Sequence, residues 1–362
     1  MTRRALIPVA VLAAILAGIQ LAVSAAGRDY YLTQLIMSAY YAIVVMGLCL
    51  VMGYAGQISL GHAAFFAIGG YTSAALTTRN IPAAHDAAWS GVLRSAGLLW
   101  ARPDLYGETL VTVSPWAAFV LAIALAVLVA LLIGWPALRL KGHYLAMGTL
   151  GFGLIVYRIV LGTEFLGAAD GITGVPPWEI GLGIVISERK AFRVVNYYFA
   201  WGLVLLVLLL LLNLVHSRVG RALRSIHGGE QAANAMGVNT AGYKLKAFVL
   251  SAALAAAAGC FLTHYNRGIG PSEAGALKSV RYVALVAAGG MANLWGVLFI
   301  STLLNFLSLR GFFGTFDHAA FGIILIAIIS LTPEGPLAPV GRWLRRGRGP
   351  QPGTVRDDDT QG

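Results

Sequence analysis

Charge is what this sequence has least of. Charged residues make up 11% of its 362 residues and hydrophobic ones 58%, against roughly 25% and about 45–50% in soluble globular chains. So little charge cannot cover a water-facing surface, and no polar stretch between Ala5 and Thr332 is long enough for a second domain. Cysteine is nearly absent. Cys49 and Cys260 each fall inside an apolar run, where a small thiol packs as a hydrophobe and is silent on redox compartment. No Gly-Lys dipeptide occurs, which excludes a Walker A phosphate loop, and there is no His-Glu-x-x-His pattern among seven scattered histidines. Carboxylates are scarce inside the apolar runs, which argues against a proton relay or an ion-coupled carrier built on them. No catalytic or metal-ligating cluster emerges, so the chain reads as a non-enzyme without an ATP site of its own.

What the sequence does have is length of apolar run. A hydrocarbon core ~30 Å thick needs about 20 helical residues, and only helices or closed barrels satisfy the backbone there. The runs are continuous and not alternating, which gives an all-α polytopic membrane protein of about ten transmembrane helices. The expected spans are Ala5–Ala25, Thr33–Met52, Gln57–Thr77, Trp116–Gly134, Tyr144–Leu161, Tyr197–Val215, Ala247–His264, Ala276–Met291, Leu294–Leu309 and Ala319–Thr332. Residues 1–340 form one membrane domain and residues 341–362 a polar tail. Arg3-Arg4, the first run and Ser24-Ala25-Ala26 share features with a secretory signal peptide, but the run exceeds the usual core of about 7–15 residues and is long enough to span.

The formal net charge is +11. The basic residues sit between apolar runs without interleaved aromatics, so their partner is the anionic inner leaflet of a lipid membrane and not nucleic acid. Placing both termini in the cytoplasm puts Arg139 and Lys141, the Arg218–Arg224 cluster, Lys244 and Lys246, and the basic tail inside. The long connections, Arg79 to Pro115 and Gly162 to Asn196, then lie outside. Ala276–Met291, with Lys278, Arg281 and only about three apolar turns, reads as a crossing or half-crossing element. Two glycine pairs, Gly69-Gly70 and Gly289-Gly290, lie five spans apart, so matching segments would run in opposite directions as in an inverted repeat. Ordinary helix packing through glycine accounts for the same pairs.

Three stretches are candidates for function. In a helix beginning near Gln57, Gln57 and Gly61 stand four apart and Ser59 and His62 three apart, gathering polar atoms on one side. They line a solute route, or they hydrogen-bond between helices. Arg158, near the end of its span, is placed to snorkel to the interface. The loop that follows, Gly167 to Pro177 with Asp170, Gly171 and Thr173, concentrates glycine and proline. It is either turn punctuation or an outer gate and docking surface. The third stretch, residues 216–246, is the longest cytoplasmic connection, with an Ala-rich surface helix that ends at Gly237.

Taken together, Gly53 to Tyr71, Tyr144 to Gly153 with Thr149, Gly171 to Pro176, Ser217 to Gly237 and Ala247 to Ala253 resemble a known family. It comprises the membrane permease subunits of ATP-binding-cassette importers for branched-chain amino acids, specifically the longer, LivM-type member of the pair, and the resemblance covers most of Thr33 to Thr332. The resemblance implies a coupling segment at 216–246 in which Gly228, Glu230, Ala232, Ala233 and Gly237 dock an ATPase. Gln57, Ser59, His62 and Thr149 are the candidate residues of a solute route. The implied partners are a second permease subunit, two ATP-binding-cassette ATPases that bind the ATP, and a periplasmic substrate-binding protein; no cofactor sits on this chain. The sequence departs from the family at Leu154, where an acidic residue is common, at Ala255-Ala256-Ala257-Ala258-Gly259, and at Gly289-Gly290-Met291-Ala292. These departures bear on the solute: a branched-chain amino acid, another amino acid, urea or a short amide. A self-sufficient secondary carrier is the alternative, and intramembrane carboxylates would favour it.

Overall fold

The computed structural model describes residues 3–80, 97–103, 109–137, 142–181 and 183–311, with isolated positions between 319 and 330. The expected span Ala319–Thr332 therefore falls largely outside the described residues, as do Arg139, Lys141, part of the first long loop and the tail.

Helix dominates, as the apolar runs require. The helices are α1 (Arg3–Ala25), α2 (Tyr30–Cys49), α3 (His62–Thr78), α4 (Pro115–Ala137), α5 (His143–Gly162), α6 (Arg193–His216), α7 (Arg218–Gly228), α8 (Glu230–Ala235), α9 (Thr240–Asn266), α10 (Ala276–Gly289) and α11 (Leu294–Leu309). Among the described residues six helices are long and apolar enough to cross a membrane: α1, α2 with its continuation, α4, α5, α6 and α9. The chain is thus a multi-pass helical membrane protein. At 1.5 Å per residue α3, α10 and α11 reach only ~26, ~21 and ~24 Å, short of a ~30 Å core.

The layers follow from burial. The Tyr30–Tyr54 stretch is 89% buried and forms the centre, whereas Ile7–Ala25 is 17% buried at the periphery. The closest packing is between α3 and α9. A Cβ on Gly69 would strike the Ala256 backbone and one on Gly259 the carbonyl of Phe66, so neither helix tolerates a side chain there. The Cys260 thiol donates to Gly69 O at 3.2 Å across the same seam. The second glycine pair does other work. Gly290 takes φ +92°, a region open to glycine, and Gly289 abuts Val297, which closes the α10–α11 corner. That corner rests on a π turn, Leu50–Tyr54, that prolongs α2: Tyr54 Oη donates to Ala292 O at 2.6 Å.

One expectation needs correction. The span expected from Gln57 does not start as a helix: after the π turn the backbone is irregular through Gly61, and α3 begins at His62. Glycine at 56, with φ +67°, and at 61 supplies the freedom for this break. Short strands accompany the helices. Three two-stranded antiparallel sheets lie in the connections, β1 (Leu99–Pro103) with β2 (Thr109–Val113), β3 (Ile172–Thr173) with β6 (Gly268–Ile269), and β4 (Trp178–Gly181) with β5 (Ile184–Ile186).

Candidate functional site

Irregular backbone inside an apolar bundle must find hydrogen bonds from its surroundings. The break before α3 finds them in side chains from three other helices. Leu60 N–H donates to Thr149 Oγ1 of α5 at 2.9 Å, and Ala63 N–H to Ser279 Oγ of α10 at 3.3 Å. Gln57 N–H reaches back to Val51 O at 3.0 Å. His62 then ties the break to α9, its ring hydrogen-bonded to Ser59 Oγ at 3.1 Å on one side and Ser251 Oγ at 2.7 Å on the other. Of the four residues expected to line a route, the structure brings Ser59, His62 and Thr149 together, along with Ser251 and Ser279; all five are buried. Gln57 is buried beside them, and its Oε1 has no partner among the described residues. Ser279 was not legible in the sequence as part of this group, since it lies 216 residues from Ala63.

Asp170, Gly171 and Thr173 lie at the other end of α9. Thr173 pairs with Gly268 and Ile172 with Ile269 in the β3–β6 ladder, which straps the loop over the C-terminus of α9. Gly171, at φ +73°, approaches the Ile269 carbonyl so closely that a Cβ would collide with it. Buried His264 holds the same loop, hydrogen-bonding Pro176 O at 2.9 Å and Ser73 Oγ of α3 at 2.8 Å. Beneath the strap is a cavity of about 200 Å³ lined in part by Asp170, Thr173, Phe66 and Glu273. Glu273 is ion-paired with Lys278 through Oε1, which also accepts from Tyr41 Oη at 3.1 Å. Neither Glu273 nor Lys278 was singled out from the sequence for this cluster. Arg158 is exposed near the end of α5, away from these contacts.

The 216–246 segment forms a compact appendage of two helices at the opposite end of α9. Ser217 caps α7 by accepting from Val219 N–H at 3.1 Å. Gly220, Leu223 and Ile226 turn inward and Arg221, Arg224 and Ser225 outward. Glu230 at the start of α8 pairs with Lys244 at 2.7 Å, and Thr240 Oγ1 donates to Asn234 Oδ1 at 2.9 Å. Gly228, Ala232 and Gly237 are exposed, whereas Ala233 is buried. Met236, overlooked in the sequence, is 85% exposed immediately before Gly237; an apolar side chain next to a left-handed glycine (φ +80°) was the available signal. The appendage also touches the break directly, because His227 lies against Gly56.

A buried broken helix, a strapped cavity at one end of the bundle and a two-helix appendage at the other define a multi-pass membrane protein of transporter type. The family model described as "Branched-chain amino acid transport system / permease component" matches residues 30–332, and the chain belongs to that family. It is 30% identical over 326 residues to the high-affinity branched-chain amino acid transport system permease protein LivM of Salmonella typhimurium, covering 84% of this chain and 69% of that one. The Escherichia coli LivM protein is 29% identical over 329 residues with the same coverage, and the Salmonella typhimurium LivH permease 23% over 291 residues, 76% of this chain and 84% of that one. No solved structure matches.

Proposed function

We propose that this chain is the transmembrane permease subunit of an ATP-driven importer that carries a branched-chain amino acid, or a similar small polar solute, into the cytoplasm. The observation behind this reading is the family match over 30–332, together with an appendage that exposes Gly228, Ala232, Met236 and Gly237 alongside the basic Arg221 and Arg224. The chain works beside a second permease subunit, receives solute from a periplasmic binding protein, and is driven by two ATPase subunits that grip 216–246 and bind the ATP. It lies in the inner membrane with both termini cytoplasmic, as one membrane domain (1–340) and a polar tail (341–362). The full topology is about ten crossings arranged as an inverted repeat. The opposite ends of α9, ~40 Å apart for 27 residues, then face the two compartments. Binding protein and ATP bias the two access states only by their differential affinity for each.

The test is purification from native membranes in mild detergent, followed by reconstitution. ATPase subunits co-purify, and leucine uptake stops when ATP is removed and persists under a protonophore. Uptake that ignores ATP and collapses with the proton gradient would establish a secondary carrier instead.

A further inference from the structure

Two arginines from distant parts of the chain converge on the first turn of α2. Arg28 precedes that turn and Arg310 ends α11, and the charges of both bear on the Tyr30–Tyr31 pair, whose ring centroids are 4.2 Å apart. The Arg310 guanidinium lies over the Tyr31 ring, 4.8 Å from its centroid. Stacking of this kind occupies the face of a guanidinium and leaves its in-plane N–H fork open. Arg28, Tyr30 and Arg310 are exposed, and neither arginine joins an ion pair among the described residues. The carboxylate beside them, Asp29, accepts from Ser24 Oγ at 2.9 Å. Two guanidiniums against one carboxylate leave a net positive charge at this corner. An apolar stripe leads away from it. Phe299, Leu303, Phe306 and Arg310 follow one another at helical spacing on a single face of α11. Phe299 and Leu303 are exposed, and the Phe306 ring is 6.0 Å from that of Tyr31. From Phe299 to Arg310 the helix rises ~16 Å, about half of a ~30 Å hydrocarbon core, which is the depth of one leaflet.

We propose that this corner is a binding site for one anionic phospholipid. Its phosphate sits between the Arg28 and Arg310 guanidiniums, which give it charge-assisted hydrogen bonds, and one acyl chain runs along Phe306, Leu303 and Phe299. Tyrosines at the end of a span suit the headgroup level. The net positive charge of the corner complements the single negative charge of phosphatidylglycerol, whereas the quaternary ammonium of phosphatidylcholine would bring a second cation up to the arginines. The face of α4 offers a contrast. It carries aliphatic side chains between Trp116 and Trp135 and no charge at all, so it accepts any bilayer lipid, and selection is confined to the α2–α11 corner. This assignment needs only that the chain lies in a membrane, and it is independent of what the chain transports.

The experiment titrates the full chain, stripped of lipid in mild detergent, with dioleoylphosphatidylglycerol or dioleoylphosphatidylcholine and counts bound lipid by native mass spectrometry. Phosphatidylglycerol binds more tightly than phosphatidylcholine. Arg28→Gln and Arg310→Gln each weaken its binding about fivefold and the double variant about thirtyfold, with gel-filtration elution unchanged. Inorganic phosphate and glycerol 3-phosphate, which lack the acyl chains, do not displace it. A second measurement needs no substitution: phosphatidylglycerol raises the thermal midpoint of the parent chain and phosphatidylcholine does not. Equal affinity for the two lipids, an equal effect of both on the midpoint, or parental binding by the double variant overturns the assignment. Displacement by inorganic phosphate would make the corner a site for a soluble anion instead. Loss of a co-purifying second permease subunit in Arg310→Gln, with lipid binding intact, would assign the face to a protein contact and likewise overturn it.

Discussion

Ser279 Oγ, on α10, accepts the amide hydrogen of Ala63 in the first turn of α3 at 3.3 Å. A helix begins with amides that have no partner in the preceding turn, and Gly61 at the cap position has no side chain to offer. The hydroxyl of a different helix does the capping. Removing it by Ser279→Ala leaves a buried donor unmatched, at a cost of ~1–3 kcal/mol. The expected result is a lower midpoint of thermal aggregation in detergent; a midpoint equal to the parent's would show that the bond contributes nothing.

His62 and Ser251 are joined at 2.7 Å, and Ser59 bonds the other ring nitrogen. His62→Ala and Ser251→Ala should each destabilise, and the double variant should lose less than the sum, with a coupling of ~0.5–3 kcal/mol typical of buried partners. Strict additivity in the same thermal assay would mean that the two side chains act independently.

At the α3–α9 seam, Gly259→Ala or Gly69→Ala places a methyl group against backbone and not against a yielding side chain. Overpacking of this kind costs ~1–3 kcal/mol. Reduced yield of monodisperse protein on gel filtration is expected for both. Gly202, whose Cβ direction is open, provides the control: Gly202→Ala should behave as the parent.

Much of this could be read directly from the chain. Apolar run length located α4, α5, α6 and α11 to within four residues, because hydrophobic thickness sets a lower limit on span length, whereas α9 begins at Thr240, seven residues before the expected Ala247. The start of α3 was missed for a physical reason. Gln57 to Gly61 has helix-compatible spacing, and what breaks the helix is the supply of donors and acceptors from Thr149, Ser251 and Ser279, remote in sequence. The small sheets escaped notice similarly, since β3 and β6 are two residues each and owe their pairing to the strap and not to any alternating pattern. In the appendage, composition revealed a surface helix but not its facing, which leaves Ala233 buried and Met236 exposed.

Gly237→Val substitutes a branched side chain at φ +80° on an exposed turn, a strain of ~1–3 kcal/mol that a folded bundle tolerates. Met236→Asp places charge on the neighbouring exposed position. Both variants should retain parental yield and elution volume while losing ATPase co-purification and ATP-driven uptake. Normal uptake in both would remove this turn from the docking surface.

The Lys244–Glu230 bridge is partly open to water, its side chains 13% and 32% exposed, so it should stabilise the fold by no more than ~0–1 kcal/mol. Glu230→Gln is expected to leave the thermal midpoint nearly unchanged at low salt; a large drop would mean that the pair clamps α8 to α9.

The imidazole of His227 abuts Gly56, one residue from Gln57 and three from Ser59. A tug on the two-helix handle therefore need not travel along any membrane helix to be felt. It arrives at once where the chain has already let go of its spiral.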